Sequence, residues 1–318
     1  MNTHKLIKGL HHVTATVDEA QPDYDFYTRI LGQRLVKKTV NFENNKVYHF
    51  YYGNAEGTPG TIMTTFPYKG QAVRQGIHGT GQVAITAFSI PSSAIQFWQD
   101  RLAKFHIATA LVQKFGWSTL QFRDPSGLYI ELVGNEKDNR LPWLTDEIGE
   151  GQAIRGLFNV SLSVAEVNPT FSFLMNEFGF TKVQTEGNIT RFAVEEGGPG
   201  QWVDVREDEA VAKGKNGIGI VHHVAWRIET DEALIAMRRH LVDNLHLKVT
   251  EIKDRNYFHS IYFRIPGGVL FEIATIPPGF TADESIDELG MSLQLPAWEE
   301  VNRAEIESVL PPINWNHS

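Results

Sequence analysis

A chain of 318 residues, 42% of them hydrophobic and including 19 Phe and 7 Trp, can bury the core of about two ordinary domains. A net charge of −9 without any Lys/Arg block argues against nucleic acid as a partner, and no apolar run approaches the ~18 residues of a membrane span. There is no cysteine, so disulfides, thiolate ligands and a Cys nucleophile are excluded, and only His, Asp and Glu remain as metal donors. The first eight residues carry no apolar signal region, and with the missing cysteines this suggests a cytoplasmic protein.

Taken in order, the chain repeats a pattern about every 70 residues: an alternating strand, an amphipathic helix, then two or three strands with Gly-rich turns. The first unit opens at Gly9, has a helix near Asp23–Leu31 ended by Gly32, and closes at Thr58–Phe66. The second opens near Gly81, has a helix near Ser92–Lys104, and closes through Asp124-Pro-Ser-Gly into Glu131. The third opens at Arg155, has a helix near Pro169–Phe178, and closes at Gly200–Val205. The fourth opens at Gly219, has a helix near Asp231–Leu245, and closes through Pro266-Gly-Gly into Glu272. A further amphipathic helix is predicted over Ala297–Leu310.

The repeat is too mixed for a solenoid. It predicts an α+β fold of four βαβββ modules in two paired domains, each curling a mixed sheet around a cup, plus a C-terminal helix. The polar stretch Asn135–Gln152 marks the break, giving domains 1–140 and 152–280 and an extension 281–318.

Strand alternation sets His12 with Leu10, Thr14 and Thr16 on one face. It sets His223 with Ala225 and Arg227, and Glu272 with Leu270 and Ala274. A Glu among Val, Leu, Phe and Ile is costly to bury as a charge unless it is paired or bound to a metal. Two imidazoles and one carboxylate form the donor set of mononuclear non-haem iron(II) oxygenases. The plainer alternative pairs Glu272 with Arg264 or Arg255 and leaves the histidines as satisfied core groups. The repeat itself bears on the choice. Opening slots hold His12, Ile85, Asn159 and His223; closing slots hold Thr64, Glu131, Asp204 and Glu272. If the first unit pairs with the fourth, one cup collects His12, His223, Glu272 and Thr64. The other then collects Ile85, Asn159, Glu131 and Asp204, a poor transition-metal site. If the first pairs with the second, His12 is stranded.

The repeat and its His and Glu placement resemble the vicinal oxygen chelate superfamily of glyoxalase I, bleomycin resistance proteins and extradiol dioxygenases. Leu10-His-His-Val, Gly32-Gln-Arg-Leu-Val-Lys-Lys-Thr39, Gly57-Thr-Pro-Gly-Thr-Ile-Met-Thr-Thr-Phe-Pro67, Asp254-Arg-Asn-Tyr-Phe258, Pro266-Gly-Gly-Val and Leu289-Gly-Met291 are similar to the hydroquinone-type ring-cleaving dioxygenases over nearly the whole chain. That resemblance implies Fe(II) on His12, His223 and Glu272, with Mn(II) or Zn(II) as alternatives, O2 as co-substrate and a small aromatic diphenol as substrate. It also implies roles near the substrate or behind the ligands for His11, Thr14, His222, Arg255 and Tyr262. By pleat alone, His11 and His222 point away from their neighbours; Phe258 and Trp226 are candidate pocket walls. Two rival functions are a glyoxalase-like lyase or isomerase on Zn(II) or Ni(II), and a metal-free drug- or antibiotic-binding protein. A homo-oligomer is possible.

Overall fold

The computed structural model describes residues 3–315; the extreme ends of the expected N-terminal unit and C-terminal extension, residues 1–2 and 316–318, lie outside the described residues. Each repeat forms the expected module. The first comprises β1 (Leu10–Val17), α1 (Ala20–Asp25), β2 (Arg34–Asn41), β3 (Asn44–Gly53) and β4 (Ile62–Pro67). The second comprises β5 (Gln82–Ile90), α2 (Ile95–Lys104), β6 (Ala110–Lys114), β7 (Trp117–Arg123) and β8 (Tyr129–Gly134). The third comprises β9 (Gly156–Val164), α3 (Val167–Asn176), β10 (Thr181–Glu186), β11 (Ile189–Ala193) and β12 (Trp202–Glu207). The fourth comprises β13 (Ile220–Ile228), α4 (Asp231–Arg239), β14 (Lys253–Asp254), β15 (Phe258–Arg264) and β16 (Leu270–Pro278), and the tail carries α5 (Arg303–Val309).

The sixteen strands form two eight-stranded, curled mixed sheets, and neither sheet belongs to one half of the chain. One runs β14-β15-β16-β13-β1-β4-β3-β2 and joins the fourth module to the first. The other runs β10-β11-β12-β9-β5-β8-β7-β6 and joins the third to the second. The central seam of the first sheet is antiparallel, with Leu10 opposite Trp226 and His12 opposite Ala225. Each sheet thus combines a module from 1–140 with one from 152–280. Gly9 sits where the two sheets touch. At φ +125 it turns the chain into β1, and a Cβ there would lie 2.6 Å from the Gly200 carbonyl, to which Leu10 N donates at 2.7 Å.

Helix boundaries differ from expectation in two places. The first helix begins at Ala20 because Pro22 falls in the first turn, where its missing N–H costs nothing, and it ends in a π-helical turn, Phe26–Ile30. The tail helix is shorter than Ala297–Leu310. Its entry is a tight 3-10 turn, Glu300–Asn302, in which Val301 is 87% exposed, so no apolar face holds that turn against the body.

Asp23 anchors α1 to the first sheet. Tyr52 Oη and Thr65 Oγ1 donate to its Oδ2 at 2.8 and 2.5 Å, while Oδ1 has no partner among the described residues. Burial raises this carboxyl to about 8 against the pull of those two bonds, and Asp124 nearby adds to the rise. The folded state therefore holds a proton that the unfolded chain releases near pH ~4. Stability from this group is present in acid and falls as pH rises from ~4 to ~8. In urea unfolding between pH 5 and 9, Asp23→Asn is expected to flatten the alkaline loss relative to wild type by more than ~1 kcal/mol. Parallel profiles for the two proteins would show that Asp23 is ionised in the fold.

Candidate metal centre

The seam between β1 and β13 brings the two ends of the chain together. His12 Nε2 lies 3.0 Å from Glu272 Oε2, and His223 Nε2 lies 2.8 Å from the same oxygen. All three donor atoms fall within 4.8 Å of one another. His12 is 2%, His223 6% and Glu272 0% exposed. These are short contacts without hydrogen-bond geometry: His223 Nε2 and both Glu272 oxygens have no hydrogen-bond partner among the described residues. Lone pairs that converge at ~3 Å without bonding each other are what two ligands at right angles around an ion present, since donor–metal distances are about 2.1 Å. The donor set therefore fits a divalent cation. The plainer alternative is not what forms: Arg264 donates to the Gly268 carbonyl, and Arg255 to Tyr262 and Glu43.

Both imidazoles are oriented by the histidine that precedes them. His11 Nε2 lies 3.1 Å from the Thr275 carbonyl, which can only accept, so that nitrogen carries the proton. His11 Nδ1 then accepts from His12 Nδ1–H at 2.9 Å, and His12 Nε2 is left as a free lone pair. Burial, reinforced by His12, pushes His11 down to about 3 and keeps it neutral. A second Nδ1–Nδ1 contact, of 2.8 Å, joins His222 to His223. Burial likewise lowers His223, which favours the neutral, metal-binding form. Burial alone would raise Glu272; charge on protonated His12 and His223 rings outweighs it and holds the carboxyl well below the usual range, and a bound cation would do the same beside neutral rings.

Pleat alternation underestimated these neighbours. A register shift between Leu10 and His12 breaks the regular alternation, and His11 reaches back to His12 rather than pointing away from it. His222 reaches the cavity rim, and His11 does not line the cavity.

His12 and His223 open into a cavity of about 260 Å³ on the concave face, walled by Thr14, His49, Tyr51, Phe258 and Tyr262 among others, with Glu272 behind them. Arg255 Nε donates to Tyr262 Oη at 3.1 Å. Burial, with Glu272 close by, raises the Tyr262 phenol well above its usual value, so its own proton stays in place to be donated. Arg255 and Lys253 also meet Glu43, at 3.4 and 2.5 Å, across the cavity mouth. Phe258 lies over the His12 ring at 5.2 Å. Trp226 is not a wall. It falls on the opposite pleat from His223 and packs on Phe178, Phe180 and Phe271. His49 was missed by sequence reasoning. It lies on a middle strand, outside the opening and closing slots, and its spacing carries no signal.

The second cup is filled by its own cations. Asp204 is bonded by Arg191 at 2.7 and 2.9 Å and lies 3.3 Å from Lys114, which also reaches Glu131 at 3.2 Å. Gln121 donates to the other Glu131 oxygen, and Asn159 adds a further bond to Asp204 Oδ2. A wider cleft of about 950 Å³ opens on this sheet, with Ile85, Gln121 and Glu131 in its lining. Among the described residues, however, His12, His223 and Glu272 are the one group of three potential donors that converge.

Two curled sheets with a His/His/Glu set across the seam of one correspond to a known architecture. Residues 9–132 match the Glyoxalase/Bleomycin resistance protein/Dioxygenase superfamily. The ring-cleaving dioxygenase MhqO of Bacillus subtilis, so named, is 40% identical over 97% of both chains. The chain belongs to the glyoxalase/bleomycin resistance protein/dioxygenase superfamily. Another relative, the chlorohydroquinone/hydroquinone 1,2-dioxygenase of Sphingobium indicum, is 34% identical over 96% of this chain and 97% of its own. A crystal structure of a Bacillus subtilis protein described as a dioxygenase superposes with a TM-score of 0.93 at 39% identity, covering 99% of this chain and 100% of that one. Among the described residues, no helix is long and apolar enough to cross a membrane.

Proposed function

We propose that this protein is an Fe(II)-dependent ring-cleaving dioxygenase that acts on hydroquinone-type para-diphenols and delivers both atoms of O2 to the product. The observation that carries the reading is the convergence of His12 Nε2, His223 Nε2 and a Glu272 oxygen on one buried point without hydrogen bonds among them. Relatives named as ring-cleaving and hydroquinone dioxygenases over nearly the full length support the substrate class. Three protein donors leave open positions, as oxygenase chemistry needs, whereas a glyoxalase-like site takes a fourth protein ligand. The fourth slot holds Thr64, whose hydroxyl is directed to Thr14 instead.

In this reading His12, His223 and Glu272 hold the iron, which when bound supplies Lewis acidity toward the diphenol and a redox route to O2. His11 and His222 hold the ligand rings in the tautomer that exposes Nε2. Arg255 sets positive charge beside the oxyanion that develops on the substrate ring, and by donating to Tyr262 Oη it leaves that phenol's own proton free to be donated. Tyr262 gives that proton as a hydrogen bond to a substrate oxygen. Phe258 and Tyr51 hold the aromatic ring and keep bulk water away from the donors. A cysteine-free chain suits a reducing compartment such as the cytoplasm.

The test is anaerobic purification, separate loading with Fe(II), Mn(II) and Zn(II), and oxygen-electrode assays over substituted hydroquinones and catechols. The iron form is expected to consume O2 in step with para-diphenol. If no metal form consumes O2 with any diphenol, and the zinc form isomerises a thiohemiacetal, the glyoxalase-like alternative replaces this one.

A further inference from the structure

One chain of hydroxyls in the cavity wall has no part in holding the metal. His49 on β3 lies 2.9 Å, through Nε2, from Thr64 Oγ1 on β4. Thr64 Oγ1 in turn donates to Thr14 Oγ1 on β1 at 3.0 Å. Thr64 is fully buried, while Thr14 and His49 both line the cavity. The direction of the chain is fixed by its middle member. A hydroxyl has one proton, and Thr64 spends it on Thr14, so His49 Nε2 is the donor to Thr64. Thr14 Oγ1 therefore accepts, and among the described residues it makes no other hydrogen bond. Its own proton is directed to whatever fills the cavity.

Strand register gives Thr14 its reach. Thr14 is level with His223 across the seam and with Thr64 on its other side. It lies one two-residue step, about 6.6 Å, along β1 from His12. The two oxygens of a para-diphenol are separated by the full width of the ring, a span of the same order. Thr14, His12 and His223 line one cavity, so a ring held with its first oxygen at the donors shares that space with the Thr14 hydroxyl.

We infer that the His49–Thr64–Thr14 chain is a reader of the substrate's second hydroxyl: Thr14 donates to it, and His49 and Thr64 act as positioning residues that keep Thr14 a donor. This rests on the dioxygenase reading above and names how that site selects para-diphenols over singly hydroxylated rings.

The experiment compares hydroquinone with 4-methylphenol, in which a methyl group replaces the remote hydroxyl at nearly the same size. Both are titrated anaerobically into the iron-loaded protein and followed by intrinsic fluorescence. Wild type is expected to bind hydroquinone about tenfold more tightly than 4-methylphenol, the worth of one well-placed hydrogen bond. Thr64→Val keeps the shape and removes the link, and should bring the ratio close to one with iron content unchanged; Thr64→Ser should restore it. His49→Gln, whose amide can still donate to Thr64, should keep more of the ratio than His49→Phe, and this pair serves if Thr64→Val does not fold. In turnover the loss should fall on KM for hydroquinone more than on kcat. A wild-type ratio near one, or the same ratio in wild type and Thr64→Val, overturns the inference. Failure of iron-loaded wild type to bind either phenol overturns the dioxygenase reading instead.

Discussion

Glu272→Gln is expected to lose iron and turnover together while the fold survives. Glutamine keeps the shape of the side chain and removes the charge from a carboxylate that is fully buried, with both oxygens unbonded. Even changes behind a metal ligand cost about 10–100-fold in affinity or activity, and loss of a ligand's charge costs at least that. The metal-free variant should keep the unfolding m-value of metal-free wild type, because glutamine fills the same volume in the same packing. That agreement separates ligand loss from misfolding. Wild type with iron at ~1,000 times its Kd gains about 4 kcal/mol, a rise of several degrees in Tm. The variant should show no iron-induced rise. Full metal content with full activity in Glu272→Gln would remove the ligand assignment.

In the second cup, Arg191→Leu is expected to cost about 3–5 kcal/mol of stability. Arg191 is 2% exposed, grips Asp204 through two nitrogens, and lies among the rings of Phe115, Trp117, Phe158 and Trp202 at 4.3–5.5 Å. Without it, Lys114 alone faces two buried acids, Asp204 and Glu131. The large cost reflects the orphaned carboxylate rather than the strength of the original pair. Arg191→Leu with Asp204→Leu should therefore recover most of the loss, and iron content in the other cup should stay at its wild-type level. Urea unfolding of the two single variants and the double decides the matter. A single-variant loss below ~1 kcal/mol would mean that Lys114 suffices.

The sequence made the frame and the donors legible because both depend on short-range periodicity. Strand alternation isolated His12, His223 and Glu272, and the four-fold repeat supplied the choice between two pairings. The sheet order, with β1 against β13, is the pairing in which the three donors share one cup. Long-range relations were harder to read. The placement of His11 depends on a register shift at the start of β1, which no two-residue rule anticipates. Lys114 and Arg191 as internal counter-ions, and His49 as a cavity wall, are contacts between strands distant in sequence. Trp226 is a candidate wall by its aromatic character, yet the same alternation that groups His223 with Ala225 puts it on the opposite face.

The seam that joins β1 to β13 sets a condition on when the centre can exist. The earliest donor is residue 12 and the latest is residue 272 of 318. A nascent chain that has not yet reached β16, or a fragment cut before it, carries at most two of the three. If the centre takes a metal as proposed, capture is therefore reserved for polypeptides whose synthesis has passed the last strand, and truncated products would hold that ion only weakly.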